Sequence, residues 1–431
     1  MDCPPVNFQG IELQSHEKGD SGKHSFCARR TSANLEEHEI LTSSGLYQRV
    51  YVQPNKNKTA IITYHDIGTN HTSFLSLFNN PEMRVITEHF TVYHICAPGH
   101  HENAANINFG DPANPGQDQV LLSQPDLQKQ RQSVSSISGS RGSIFEAVRR
   151  RSSLLLNRFV KFITPGKESS RYPDMDQLAD MITSILVHFG INYFLGFGMG
   201  AGSNVLARYA LRYPDQVLGL FLINPNATTH GYYQWFRNVW SDLPALERGV
   251  LTDSLMSQLE AHWFGYGLVE NIDIANFYES LARSLNPTNL AGYIRSYVDR
   301  TPIHLVRPIG PPMPSDNETS TNEEPSVIQT EVCLVTGDRA VELSRALAEM
   351  NGRMDPKRTQ FLMMPDCTGM VMEENPDKLV MNFLHFLRSI GLVVSLTPDK
   401  LRQQASEIQQ SLLEELPEMC LPAQLVMEPE V

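Results

Sequence analysis

A mostly parallel α/β sheet with a block of helices inserted into it is the fold this sequence predicts. Three observations carry it: short continuous apolar runs at 59–64, 91–96, 193–197, 217–223, 331–336 and 360–364; helix-period apolar patterns between most of them; and a stretch, 226–305, with helical patterns and no clear strand. Continuous apolar runs suit strands covered on both faces, and their alternation with helices implies parallel pairing.

In chain order, residues 1–35 are polar, lack a period and read as a flexible N-terminal segment. Residues 38–41 and 46–52 read as a leading hairpin around Ser44-Gly45. The strand at 59–64 follows a polar stretch, and a helix around 81–89 leads to the strand at 91–96. Met175, Leu178, Met181, Ile182, Ile185 and Leu186 share one face of a helix over 174–189, and 199–212 and 376–390 repeat the pattern. The sheet domain is therefore expected over 36–225 and 330–392.

The insertion at 226–305 reads as a helical lid rich in rings: Tyr232, Tyr233, Trp235, Phe236, Trp240, His262, Trp263, Phe264 and Tyr266. Packing of the lid's own core is the first role expected of them. Residues 306–329 are Pro-rich and then acidic, a flexible loop. The tail, 393–431, offers one helix over 399–416 with Leu401, Ala405, Ile408, Leu412 and Leu413 along a stripe.

At 431 residues and 41% hydrophobic, the chain is too long and too apolar to be disordered throughout, and a net charge of −13 argues against nucleic-acid binding. Residues 112–171 form a basic, serine-rich insertion within that acidic chain. Over 128–171, ten Lys and Arg stand against two Asp and Glu, with ten Ser. The N-terminus lacks the basic-then-apolar pattern of a signal peptide, and no run is long enough to span a membrane. A cytoplasmic protein is expected. Six scattered cysteines without CxxC pairing suggest neither a metal site nor a disulfide framework, and no cofactor is indicated.

The strongest motif is GFGMGAG at 196–202, between a strand and a helix. In α/β hydrolases this junction is the nucleophile elbow, small-x-nucleophile-x-small, a sharp turn that exposes the attacking side chain. Over 196–200 the nucleophile position falls on Gly198, which has no side chain to attack with. A dinucleotide fingerprint is disfavoured, because no acidic residue ends the following strand, GLFLINP. The catalytic acid and histidine should follow late strands. The turn at Gly337-Asp338-Arg339-Ala340 has Ala340 where the acid is expected, and PDCTGMVMEENP at 365–376 has Gly369 where the histidine is expected. Without nucleophile, base and orienting acid, acyl transfer has no starting point.

The loop after the strand at 59–64 supplies one oxyanion-hole amide in active hydrolases. His65, Asp66 and His71 are candidates for a polar cluster there, and His65, Asp66, Met199 and Gly200 for the lining of a pocket. A hydrolase with displaced catalytic residues would draw on Asp66, His65 or Cys367. The plainer expectation is a hydrogen-bonded loop, with Asp66 or Asn70 capping the helix that begins near Thr72 and Cys367 packed as a small apolar residue.

These residues resemble the N-myc downstream-regulated (NDRG) family. The matching stretches are IITYHDIGTN at 61–70, CAPGH at 96–100, YPDMDQLAD at 172–180, GFGMGAG at 196–202, LIN at 222–224, NLAGYIRSY at 289–297 and the segment around Gly369. They cover roughly 35–110 and 172–392. The insertion at 112–171 and the absence of an Arg/Ser/Thr-rich tail after 395 depart from the family pattern and mark a divergent member. The resemblance implies an α/β-hydrolase fold without the triad: a cytoplasmic, non-enzymatic protein acting through partners in differentiation, stress responses, signalling and vesicle traffic.

Within the insertion, Arg149, Arg150 and Arg151 precede Ser152 and Ser153, a pattern that basophilic kinases recognise. With Arg158 and Lys161 interleaved among Leu, Val, Ile and Phe, residues 144–163 resemble a basic amphipathic helix suited to an anionic membrane or a calmodulin-like groove. Two other functions stay open beside the interaction protein: the hydrolase with displaced residues, and a sensor of a small apolar ligand held under the lid.

Overall fold

The computed structural model describes residues 35–56, 59–107, 171–228, 233–265, 271–308 and 327–414. The leading hairpin, β1 (Glu36–Leu41) and β2 (Tyr47–Gln53), pairs antiparallel. Next come β3 (Ala60–Tyr64), α1 (Thr72–Phe78), α2 (Pro81–Thr87) and β4 (Thr91–Ile95). The chain is described again at α3 (Met175–Phe189), β5 (Phe194–Met199), α4 (Ala201–Arg212) and β6 (Val217–Ile223). Four helices follow, α5 (Tyr233–Glu247), α6 (Asp253–Phe264), α7 (Ile272–Ser284) and α8 (Pro287–Val298). The chain then returns to the sheet with β7 (Val332–Gly337), α9 (Val341–Gly352), β8 (Thr359–Met364), α10 (Val371–Glu374), α11 (Pro376–Ser389) and α12 (Pro398–Glu414).

The eight strands form one sheet in the order β1-β2-β4-β3-β5-β6-β7-β8. β2 meets β4 antiparallel, and every pair from β4 to β8 is parallel. This is why β3, β5 and β7 read as unbroken apolar runs: all their residues are buried. Phe197 on β5 packs with Phe78, Phe221 and Phe383, at ring-centroid distances of 5.5, 5.2 and 5.4 Å. One face of the sheet is therefore packed against α1 and α11.

Local chemistry sets the helix ends. Asp174 and Gln177 form a reciprocal capping box at the start of α3, and Gly190, with φ +66°, ends it in the left-handed region. Asn70 rather than Asp66 serves the start of α1: its Oδ1 accepts from the Thr72 backbone N–H at 2.9 Å. Buried Arg208 on α4 donates to Asn204, to Asp176 of α3 and to Thr301 just beyond α8, tying the sheet layer to the lid. No helix among the described residues is long and apolar enough to cross a membrane.

The helix expected around 81–89 is α2, and the one expected to begin near Thr72 is α1. One difference bears on the site: β5 runs on to Met199, paired with Ile223 of β6, whereas the sequence suggested a helix from 199. Ser152, Ser153, Arg149, Arg150, Arg151, Arg158, Lys161 and the docking stretch 144–163 lie outside the described residues, as do 1–34, most of the Pro-rich loop and 415–431.

Candidate functional site

The longer strand moves the elbow. Gly200, immediately before α4, has φ +51° and ψ −114°, a backbone conformation that L side chains rarely adopt. The pattern small-x-nucleophile-x-small therefore runs over 198–202, and the nucleophile position is Gly200 rather than Gly198. Gly198 and Gly202 are its flanking small residues. A Cβ at Gly198 would lie 2.7 Å from Ser203 Cα, and one at Gly202 would overlap the carbonyl of Tyr64. Ser203 offers no substitute nucleophile, since its buried hydroxyl donates to the Ile223 carbonyl at 2.9 Å.

The space above Gly200 is taken by Asp66. A Cβ at 200 would collide with the Asp66 carboxylate. Asp66 Oδ1 accepts from the backbone N–H of Ile67 and of Ala201, both at 2.8 Å. These are the amide after the elbow and an amide of the β3 loop, the pair that stabilises an oxyanion in an active hydrolase. The carboxylate is fully enclosed, and the imidazole of His262 on α6 reaches both its oxygens, Nε2 lying 3.0 Å from Oδ1 and 2.9 Å from Oδ2.

Trp263 seals the same loop, its indole N–H donating to the Ile67 carbonyl at 2.9 Å. Gly68 adopts φ +72° beneath it, where a Cβ would come within 2.6 Å of the indole ring. From α8, the Tyr293 hydroxyl donates to the His65 carbonyl at 3.1 Å. Asn289 binds the loop after β4, donating to Gly99 and Ala105 and accepting from Ile107. Lid and sheet are thus joined by buried polar contacts at residues 65–68 and 97–107.

His65 and Asp66 are neighbours with different roles. His65 Nε2 accepts from the Ala97 N–H at 2.9 Å, which leaves the proton on Nδ1 to donate to the Asp66 carbonyl at 2.7 Å. Burial, aided by nearby His100, lowers the imidazole to about 3. It is a neutral brace between two loops. His71 stacks on Tyr51 at 3.6 Å and lies 3.5 Å from Cys96 Sγ. Met199 is buried at the end of β5.

The remaining hydrolase positions are filled by packing. A Cβ at Gly369 would run into the Trp263 carbonyl, and the Gly369 carbonyl accepts from the Asn224 side chain at 2.7 Å. Ala340 is buried at the start of α9 against Gly265, where α6 ends. Asp338, two residues earlier, is exposed. The Cys367 thiol donates to the Pro365 carbonyl at 3.3 Å, and burial with nearby Glu374 and Asp338 pushes it up to about 12, so it is not a thiolate at neutral pH. Among the described residues no cluster of His, Cys, Asp and Glu is placed to hold a metal.

The sequence alone does not single out His262 as a site residue. It lies 196 positions from Asp66, on a helix whose composition marks it as lid packing. The glycines at 198, 200 and 202 carry the elbow signal, and the strand's end chooses the frame.

Comparison with known proteins agrees with this architecture. A thermophilic esterase from Thermogutta terrifontis aligns over 82% of this chain and 99% of its own, with a TM-score of 0.51 at 13% identity. A hydrolase from Pseudomonas aeruginosa PA01 aligns over 83% and 99%, with 0.51 at 14%. At such identity the likeness is one of fold. In sequence, protein NDRG3 of Xenopus laevis is 29% identical over 371 residues, 85% of this chain and 78% of the relative. Protein NDRG1 of Xenopus tropicalis is 30% identical over 358 residues, 83% of this chain and 71% of the relative. The pattern defining the Ndr family matches residues 37–120 and 164–394, and with an α/β-hydrolase fold the chain belongs to that family.

Proposed function

We propose that this protein is a non-catalytic member of its fold, acting by binding protein or membrane partners in signalling, differentiation, stress response or vesicle traffic. One observation carries the first half of that reading: the Asp66 carboxylate occupies the oxyanion hole above a side-chain-free elbow and is latched there by His262. A hydrolase stabilises the developing oxyanion with free N–H groups, and here both are spent on an internal anion. The partner half rests on family membership.

The competing reading, Asp66 as nucleophile with His262 as base, draws on the same contacts. It requires Asp66 to leave the amides that an oxyanion would need.

The test is turnover of an ester, thioester and amide panel by the wild type, Asp66→Ala, and Gly200→Ser in the Asp66→Ala background, with fluorophosphonate labelling. Background rates are expected for the wild type and Asp66→Ala. Saturable wild-type turnover that is lost in folded Asp66→Ala overturns the proposal and shows that the Asp66 carboxylate is required for catalysis. Capture of partners from vesicles or lysate, with and without residues 128–171, tests the second half.

A further inference from the structure

The two edges of the sheet are finished differently. β1, EEHEIL, places exposed glutamates at one edge, and charge of this kind ordinarily keeps an edge strand from pairing with another chain. β8, TQFLMM, closes the other edge with no charge and no proline, and among the described residues nothing pairs with its outer side. Val332 N–H donates to the Arg358 carbonyl at 2.8 Å and Asp338 N–H to the Met364 carbonyl at 3.0 Å. By parallel alternation, the backbone groups of Thr359, Phe361 and Met363 point away from β7. Phe361 and Met363 share the face opposite Gln360, whose side chain donates to Ser389 at the end of α11, and they stay 39% and 41% exposed. Lys357 and Arg358 precede the strand and Asp366 follows it, all exposed.

We propose that β8 is a docking edge for a second copy of this chain, the two β8 strands pairing antiparallel about a two-fold axis at Leu362. The outward backbone groups are satisfied in this register: Phe361 of each copy exchanges hydrogen bonds with Met363 of the other, and the ring meets the thioether on the exposed face. The ends select the register and the orientation. An antiparallel two-fold at Leu362 brings Arg358 of each copy, which lies 3.7 Å from Glu331 of its own chain, toward Asp366 of the other, a complementarity that parallel pairing lacks. The product is one continuous sheet running through both subunits, its outer ends guarded by the glutamates of β1.

Light scattering after size exclusion, on the full chain over a dilution series, is expected to show a dimer that dissociates on dilution. Phe361→Lys and Met363→Lys each abolish the dimer mass and keep the thermal midpoint of the diluted, monomeric wild type, whereas Val341→Lys on exposed α9 surface leaves the dimer intact. Leu362→Cys, at a non-hydrogen-bonded pair with Cα atoms ~4.5 Å apart, cross-links under mild oxidation above the wild-type level. Gln360→Cys does not. A wild-type monomer at every concentration, a dimer indifferent to Phe361→Lys, or equal cross-linking by both cysteines overturns the proposal.

Discussion

The elbow between β5 and α4 and the loop after β8 both carry a glycine where a side chain would collide, yet they are built differently. At the elbow the backbone is retained: Gly200 keeps its positive φ, and Gly198 and Gly202 remain where a Cβ would strike Ser203 or Tyr64. After β8, the end of α6 packs on the loop, and the Trp263 carbonyl occupies the place a side chain at 369 would need. The difference teaches which parts of a catalytic site are also structural. The elbow is the only way for α4 to lie this close to β3, so packing maintains it without chemistry. At Gly369 the contact is made instead by the lid, through the backbone of Trp263.

The largest effect that would break this comparison comes from the retained half. Gly202→Val drives a branched side chain into the Tyr64 carbonyl, which belongs to backbone and cannot yield; a loss of about 4 kcal/mol or more is expected in urea denaturation. A variant of near wild-type stability would show that the elbow is looser than its contacts imply. In the overwritten half, Trp263→Ala removes a fully buried ring and its bond to Ile67, costing about 3–5 kcal/mol. Proteolysis should then open the lid helices before the sheet; simultaneous loss of both would mean lid and sheet unfold as one unit.

The pH dependence of the thermal midpoint sharpens the same contrast with smaller shifts. Burial lowers His65 and His94 to about 3 and His100 to about 4. The unfolded chain takes up these protons first, so the stabilisation is complete above about 6.5 and is lost as pH falls through about 4 to about 3. Glu373 acts in the opposite sense. Its carboxyl, hydrogen-bonded by the Tyr278 hydroxyl of α7 at 2.6 Å, is raised to about 8 by burial. Its contribution is present below the ordinary value of 4.5 and is lost as pH rises through about 8. Glu373→Gln should remove the decline of the midpoint between about 6.5 and 8 and steepen the rise that the histidines produce between about 4.5 and 6.5. An unchanged alkaline limb would remove the lid-side carboxyl as its cause.

Much of this fold is legible in the chain because the period of the apolar residues states it. The run at 217–223 is β6 to the residue, and 376–390 differs from α11 by one position. The frame of the elbow is not legible, because GFGMGAG satisfies the small-x-nucleophile-x-small pattern over both 196–200 and 198–202. Pairing of Met199 with Ile223 extends the strand and decides between them. Asp66 was visible as a candidate, but its role was not, since the Ala201 amide and His262 imidazole that define it lie 135 and 196 residues away.

The sequence by itself determined the parallel sheet, the inserted helices and an elbow without a nucleophile, because burial on both faces, helical periodicity and a missing side chain are properties of local residues. Only the tertiary structure decided that the vacant oxyanion hole is filled from within. That outcome depends on two amides, one carboxylate and one imidazole converging from four parts of the chain, and no local pattern records such a meeting.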